Sequence, residues 1–118
     1  MTTNCVFCKI IAGEMPSDIL YQDELVTAFR DINPRAPVHI LVVPNRHYDS
    51  LADMGDEDGE VLGRIVAVTN KLARDEGIAE SGYRFLTNVG RHAGQVVFHV
   101  HFHLLGGRPL GPMVMTRW

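Results

Sequence analysis

A chain of 118 residues is long enough for one domain with a real hydrophobic core. A composition that is 46% hydrophobic and 21% charged is that of a soluble globular protein. A net charge of −3 excludes nucleic-acid backbones as partners, because these need clustered basic residues; it leaves room for a small nucleotide whose phosphate sits in a nest of backbone N–H groups.

No apolar run approaches the roughly 18 residues of a membrane span. The N-terminal Met1-Thr2-Thr3-Asn4 lacks the basic segment and apolar stretch of a signal peptide. The cytoplasm is therefore the expected compartment, and Cys5 and Cys8 are expected to be reduced there. Residues 4–15 read as a short helix or turn, with Gly13 as its stop and Pro16 barring continuation. Asp18–Tyr21 and Leu25–Arg30 alternate apolar and polar residues around Gln22-Asp23-Glu24, the pattern of a hairpin. Two prolines and an Asn-Pro step make 31–37 a loop. Val38–Val43 is a β-branched run suited to a buried strand, closed by Pro44-Asn45-Arg46-His47.

Asp56–Glu76 is predicted as the one long helix. Val61, Leu62, Ile65, Val66, Thr69, Leu72 and Ala73 recur at three- and four-residue spacing, and acidic residues precede them where a helix N-terminus favours negative charge. Tyr83–Val89 reads as a further strand, 90–95 as a glycine-bearing loop, and Val96–Leu105 as a strand ended by Gly106-Gly107. The tail from Arg108 to Trp118 has no clear period. About five strands with one short and one long helix predict an α+β domain.

That last strand holds the most unusual pattern. Three of the six histidines fall at His99, His101 and His103, alternating with Val100, Phe102 and Leu104. Strand geometry sends alternate residues to opposite faces, so the histidines would form a row while the apolar residues enter the core. A row of imidazoles can be a solvated face, a metal site, or a nucleophile with neighbours that fix its tautomer and hold an anion. The pattern alone does not choose.

Cys5-x-x-Cys8 is too few thiols for a four-cysteine zinc site. A zinc site would draw on His47 and His99, and the alternative is two small, semi-buried thiols. The loop Asn88–Gln95 could aim N–H groups at an anion beside His101. Asp31, at a strand end, has the chemistry to accept ribose hydroxyls, or is a solvated turn residue. His39, lone in an apolar strand, fits a satisfied core histidine better than a catalytic one.

Together these residues resemble the histidine triad (HIT) family, in its Hint branch. The carrying motifs are His99-Val-His101-Phe-His103-Leu-Leu with Ala93-Gly94-Gln95 before it, Phe29-Arg30-Asp31-Ile32-Asn33-Pro34, Pro37-Val38-His39, Val42-Val43-Pro44-Asn45-Arg46-His47, Asn88, and Gly106-Gly107-Arg108. The likeness runs from about residue 5 to 108 of a single domain, with 109–118 as its tail. It implies a five-stranded antiparallel sheet with one long and one short helix. It also implies a homodimer, joined through the long helix and a central strand into a ten-stranded sheet.

The resemblance implies a purine nucleotide-binding hydrolase that cleaves at the α-phosphorus of nucleoside 5′-phosphoramidates through a covalent nucleotidyl-histidine. Its alternatives are a Fhit-like diadenosine polyphosphate hydrolase and a nucleotide-binding scaffold with weak turnover. By the same resemblance, His101 would attack phosphorus, His103 would meet a phosphate oxygen or the bridging atom, and His39 would orient the row. Gly94, Gln95 and Val96 would hold phosphate oxygens, Asp31 the ribose, and Asn88 both. Val6, Phe7, Ile10, Phe29, Ile32 and Leu41 would border the base. Cys5, Cys8, His47 and His99 would bind a structural zinc. One departure stands out: many Hint-like proteins carry serine directly after Gly-Gln, and this chain has Val96.

Overall fold

A computed structural model describes residues 4–114; Trp118, at the far end of the tail, lies outside the described residues. The chain runs α1 (Val6–Ile11), β1 (Ile19–Gln22), β2 (Val26–Arg30), β3 (Val38–Pro44), α2 (Gly59–Asp75), β4 (Tyr83–Thr87) and β5 (Phe102–Gly106). The five strands form one antiparallel sheet in the order β1-β2-β3-β5-β4. This is the α+β architecture that the sequence predicts, with one short and one long helix.

The alternation of each strand divides the residues between two cores. Val26 and Ala28 of β2, Val38, Ile40 and Val42 of β3, and Phe102 and Leu104 of β5 share one face. There they pack against Ile65, Val68, Leu72 and Ala73 of α2. The long helix is thus held by its apolar stripe, whose residues lie on one side at 3.6-residue periodicity. An Arg30–Glu76 pair, with bonds of 3.0 and 2.9 Å, ties the end of β2 to the end of the helix. On the opposite face Phe29, Leu41 and Val43 pack against Phe7 and Ile10 of α1. His39 and His103 belong to this second face, because antiparallel partners opposite one another share a face and Leu41 stands opposite His103.

Of the boundaries that differ from the sequence reading, three stand out. The long helix begins with a tighter turn at Asp56–Asp58 before α-helical bonding starts at Gly59. There the Asp58 carboxylate is taken up by the Gly55 N–H at 2.9 Å and the Tyr48 hydroxyl at 2.6 Å. The fourth strand ends at Thr87, not Val89. The third difference matters most: β5 begins at Phe102, so Val96 to His101 are outside the ladder. Some of their polar groups are bonded elsewhere. The Val100 N–H donates to the Tyr48 carbonyl at 2.7 Å, and the Thr87 hydroxyl donates to the His101 carbonyl at 2.7 Å.

Candidate active site

The three alternating histidines enter the structure as expected on the apolar side, with Val100, Phe102 and Leu104 all in the larger core. The rings do not form a uniform row. His99 is fully buried and turns to the two thiols and His47, whose ring centroid is 4.8 Å away. His101 lies beside His103, at 5.0 Å between centroids. Phe7 of α1 meets both His99 and His101 edge-on, at 5.9 and 5.1 Å. The short helix therefore braces the two leading histidines.

Hydrogen-bond partners fix the tautomer of each ring, since a carbonyl only accepts and a backbone N–H only donates. His101 Nδ1 is 2.8 Å from the His99 carbonyl and so carries the proton, leaving a lone pair on Nε2. The Arg35 N–H donates to His39 Nδ1 at 3.1 Å, so the His39 proton is on Nε2. That proton is given to His103 Nδ1 at 2.9 Å. His103 must then hold its own proton on Nε2. The site thus presents one bare ring nitrogen, on His101, next to one ring N–H donor, on His103. His39, read from sequence alone as a satisfied core residue, is buried and satisfied, and it sets the tautomer of His103.

Burial keeps these rings neutral. It lowers the pKa of His39 and His101 below the ordinary histidine value and pushes His103 down to about 4, with neighbouring imidazoles adding to the effect at His103. The Asp31 carboxylate opposes the shift at all three. Asp31 also makes an Asx turn, accepting the Asn33 N–H at 2.8 Å, and this turn leaves Ile32 86% exposed at the rim.

The loop expected to hold phosphate is wired differently from the sequence expectation. The Gln95 side chain is buried and committed to the loop: its oxygen accepts the Gly90 N–H at 2.8 Å, and its amide donates to the carbonyls of Asp49 at 2.7 Å and Val97 at 3.1 Å. The backbone N–H groups of Gly94 and Gln95 donate to the carbonyls of Arg91 and Gly90, each at 3.0 Å. A closed turn satisfies its own donors, so neither residue aims an N–H outward. Val96, 83% exposed, makes no hydrogen bond to a described residue through its N–H, and Asn88 makes none through its side chain. Gly94 holds a left-handed φ of +92°, which glycine adopts without steric cost. Phe7, Ile10, Phe29 and Leu41 come together as expected, though as a closed core with Val6 partly buried against it; Ile32 is exposed and is not part of this cluster.

Cys5, Cys8, His47 and His99 converge, with one ligand atom from each lying within 4.8 Å of the others. His99 donates Nε2–H to the Pro44 carbonyl at 2.9 Å, and His47 pairs Nε2 with the Asp49 carboxylate at 2.9 Å. Both rings thereby turn an unprotonated Nδ1 toward sulfur: His99 at 3.3 Å from Cys5 and 3.5 Å from Cys8, His47 at 3.5 Å from Cys8. Two thiols and two oriented imidazoles fit a tetrahedral metal of the zinc type, and the carbonyl and carboxylate are the outer partners that such rings require. Asp49 is a residue that sequence reasoning missed. Its signal is the His47-x-Asp49 spacing, and its backbone carbonyl also anchors Gln95.

A bare ring nitrogen and a ring N–H side by side on one sheet face, with a thiol–imidazole cluster next to them, define a histidine-triad centre. Residues 12–110 match the HIT domain family model, and the chain belongs to that family. It is 56% identical over 114 residues to the purine nucleoside phosphoramidase of Escherichia coli (strain K12), covering 97% of this chain and 96% of that protein. It is 42% identical over 103 residues to Protein HitA of Neisseria gonorrhoeae, covering 87% and 95%. Among solved structures it superposes on a HIT family hydrolase from Clostridium thermocellum with a TM-score of 0.93, 50% identity, and 98% and 100% of the two chains covered. A histidine triad protein from Clostridium difficile gives 0.90 at 46% identity, with 95% and 97% covered.

Proposed function

We propose that this chain is a purine nucleoside phosphoramidase, hydrolysing the P–N bond of nucleoside 5′-phosphoramidates through a nucleotidyl-histidine. The observation that carries this is the tautomer of His101. With its Nδ1–H held by the His99 carbonyl, the lone pair on Nε2 is free to form a bond to phosphorus. In the first step the N–P bond to His101 forms, the P–N bond to the amine breaks, and the departing nitrogen takes a proton from solvent to leave as the amine. In the second, water adds to phosphorus and gives up a proton to solvent, and the bond to His101 breaks, releasing the nucleoside monophosphate and restoring the bare Nε2. Dividing one displacement into two easier ones is the gain from a covalent nucleophile. The His101 ring becomes cationic when it bonds phosphorus, and its Nδ1–H bond to a carbonyl strengthens at that moment.

His103 donates Nε2–H to a phosphate oxygen or to the bridging nitrogen. The Val96 N–H and the Asn88 amide supply further donors, while Gly94 and Gln95 shape the turn that presents them. Asp31 takes the ribose hydroxyls, and the base lies against Ile32 at the margin of Phe7, Phe29 and Leu41. Cys5, Cys8, His47 and His99 hold a zinc ion whose role is structural, because four protein ligands leave no open position. The bound ion would join α1 to the segment that carries the nucleophile. The subunits pair as homodimers.

The test is hydrolysis of adenosine 5′-phosphoramidate, with diadenosine polyphosphate as the competing substrate. The wild type is expected to release AMP from the phosphoramidate in preference. The His101→Ala variant is expected to lose at least about 10³-fold in kcat, as removal of a covalent nucleophile does. Turnover of neither substrate, or an equally active variant, would overturn the assignment.

A further inference from the structure

Among the described residues, Asp31 is the carboxylate that acts on all three rings His39, His101 and His103. Its Oδ2 lies 3.4 Å from His39 Nε2, the atom whose proton is given to His103 at 2.9 Å. The other side of the His39 ring is pinned by the Arg35 N–H at 3.1 Å, and the His39 side chain is almost wholly buried. The three donor atoms of Asp31, His39 and His103 lie within 4.8 Å of one another.

We propose that Asp31 is a positioning residue for His103, acting through His39, in addition to taking the ribose. The carboxylate draws the Nε2–H tautomer of His39 toward itself and toward His103. His39 thereby keeps the proton of His103 on the nitrogen that faces the phosphate. This is the logic by which a carboxylate orients a catalytic imidazole, extended across a second ring. The sugar and the reacting phosphate then share one polar unit: the group that recognises the ribose also keeps His103 in its donating form. The inference rests on the phosphoramidase reading for its substrate, and on the ring geometry for its chemistry.

The isosteric Asp31→Asn isolates the effect. Oδ1 of Asp31 faces the Asn33 N–H and Oδ2 faces the His39 N–H. An amide has one oxygen and one NH₂ group, so in either orientation it sets N–H against N–H at one of these places. The variant therefore either opposes the His39 N–H directly or loses the Asx turn that places the side chain beside it.

The experiment measures kcat and KM of wild type and Asp31→Asn on adenosine 5′-phosphoramidate and on its 2′,3′-dideoxy analogue. The analogue removes the ribose contact from both proteins. The variant is expected to keep a kcat deficit of about tenfold or more on the analogue, the order expected for losing a charged partner. If Asp31 serves only the sugar, wild type and variant will turn over the analogue with equal kcat, and the inference fails. A second measurement needs no substrate and no variant: ¹⁵N imidazole shifts of the ligand-free wild type. They are expected to show His103 protonated at Nε2 and bare at Nδ1, with the same for Nε2 and Nδ1 of His39. The opposite tautomer at either ring would overturn the inference. If the wild type hydrolyses neither phosphoramidate, the functional assignment falls, while the ring shifts still decide the relay.

Discussion

His99 is bonded on three sides. Its Nε2–H meets the Pro44 carbonyl, its Nδ1 faces two thiols, and its own carbonyl holds the Nδ1–H of His101. Burial, with the neighbouring His47 and His101 rings adding to it, pushes its pKa down to about 4, so the ring is neutral and ready to ligate a metal. Protein purified without chelators is expected to hold about one zinc per chain, and Cys5→Ser with Cys8→Ser is expected to abolish it, read by elemental analysis. A metal-free wild type would refute the zinc site. The clustering of these four residues was legible in the sequence because Cys-x-x-Cys is a rare feature that asks for two histidines from elsewhere. Asp49 and the Pro44 carbonyl were not legible, since a hydrogen bond that orients a ring leaves no mark on hydropathy or spacing. Gln95 shows the same limit. Its place before the histidines pointed to phosphate, while in the fold both its side chain and its N–H close the turn on which the Val96 N–H is presented.

Among the elements, the stretch that carries the three alternating histidines departs furthest from its pattern. Period-two alternation persists from His99 onward, so hydropathy extends the strand to Val96, yet ladder pairing starts only at Phe102. Alternation reports which side chains are buried; it does not report where the backbone groups bond. The other end of β5 is fixed by close contact. A Cβ built on Gly106 would lie 2.6 Å from Ile78 Cδ1 and 3.3 Å from its Cβ, and one on Gly107, at a φ of +100°, would lie 2.8 Å from Pro37. Both glycines are required by proximity, and Gly107 also by its backbone conformation. Gly106→Ala is expected to destabilise the fold by about 1–3 kcal/mol, the range for overpacking, since Ile78 must move. Equilibrium denaturation measures this, and an unchanged midpoint would show that Ile78 yields freely.

The sheet of the whole molecule has two ends, β1 and β4. β1 is short and its pairing with β2 is irregular. β4 leaves Tyr83 and Phe85 partly exposed, and Val66 is exposed on α2, the helix whose Asn70 accepts the Tyr83 hydroxyl. An exposed strand edge flanked by apolar side chains invites pairing with a second copy. Light scattering is expected to give about twice the 13.2 kDa chain mass, and Val66→Glu is expected to shift the population toward single chains. A wild type that remains at one chain mass would refute the pairing. The fold class and the strand count were legible in the sequence because helix and strand periods are local. The strand order was not, because pairing of β3 with β5 brings together segments far apart in the chain.

That pairing has a consequence in time. His39 stands on β3 and His103 on β5, some sixty residues later, and nothing local brings them together. Contacts of such long sequence separation close late, after the entropy of the intervening chain has been overcome. The helix and the hairpin of β1 and β2 can form from neighbouring residues; the bare nitrogen beside its ring donor cannot. A nascent or partly denatured chain is therefore expected to form local secondary structure before the His39–His103 bond closes.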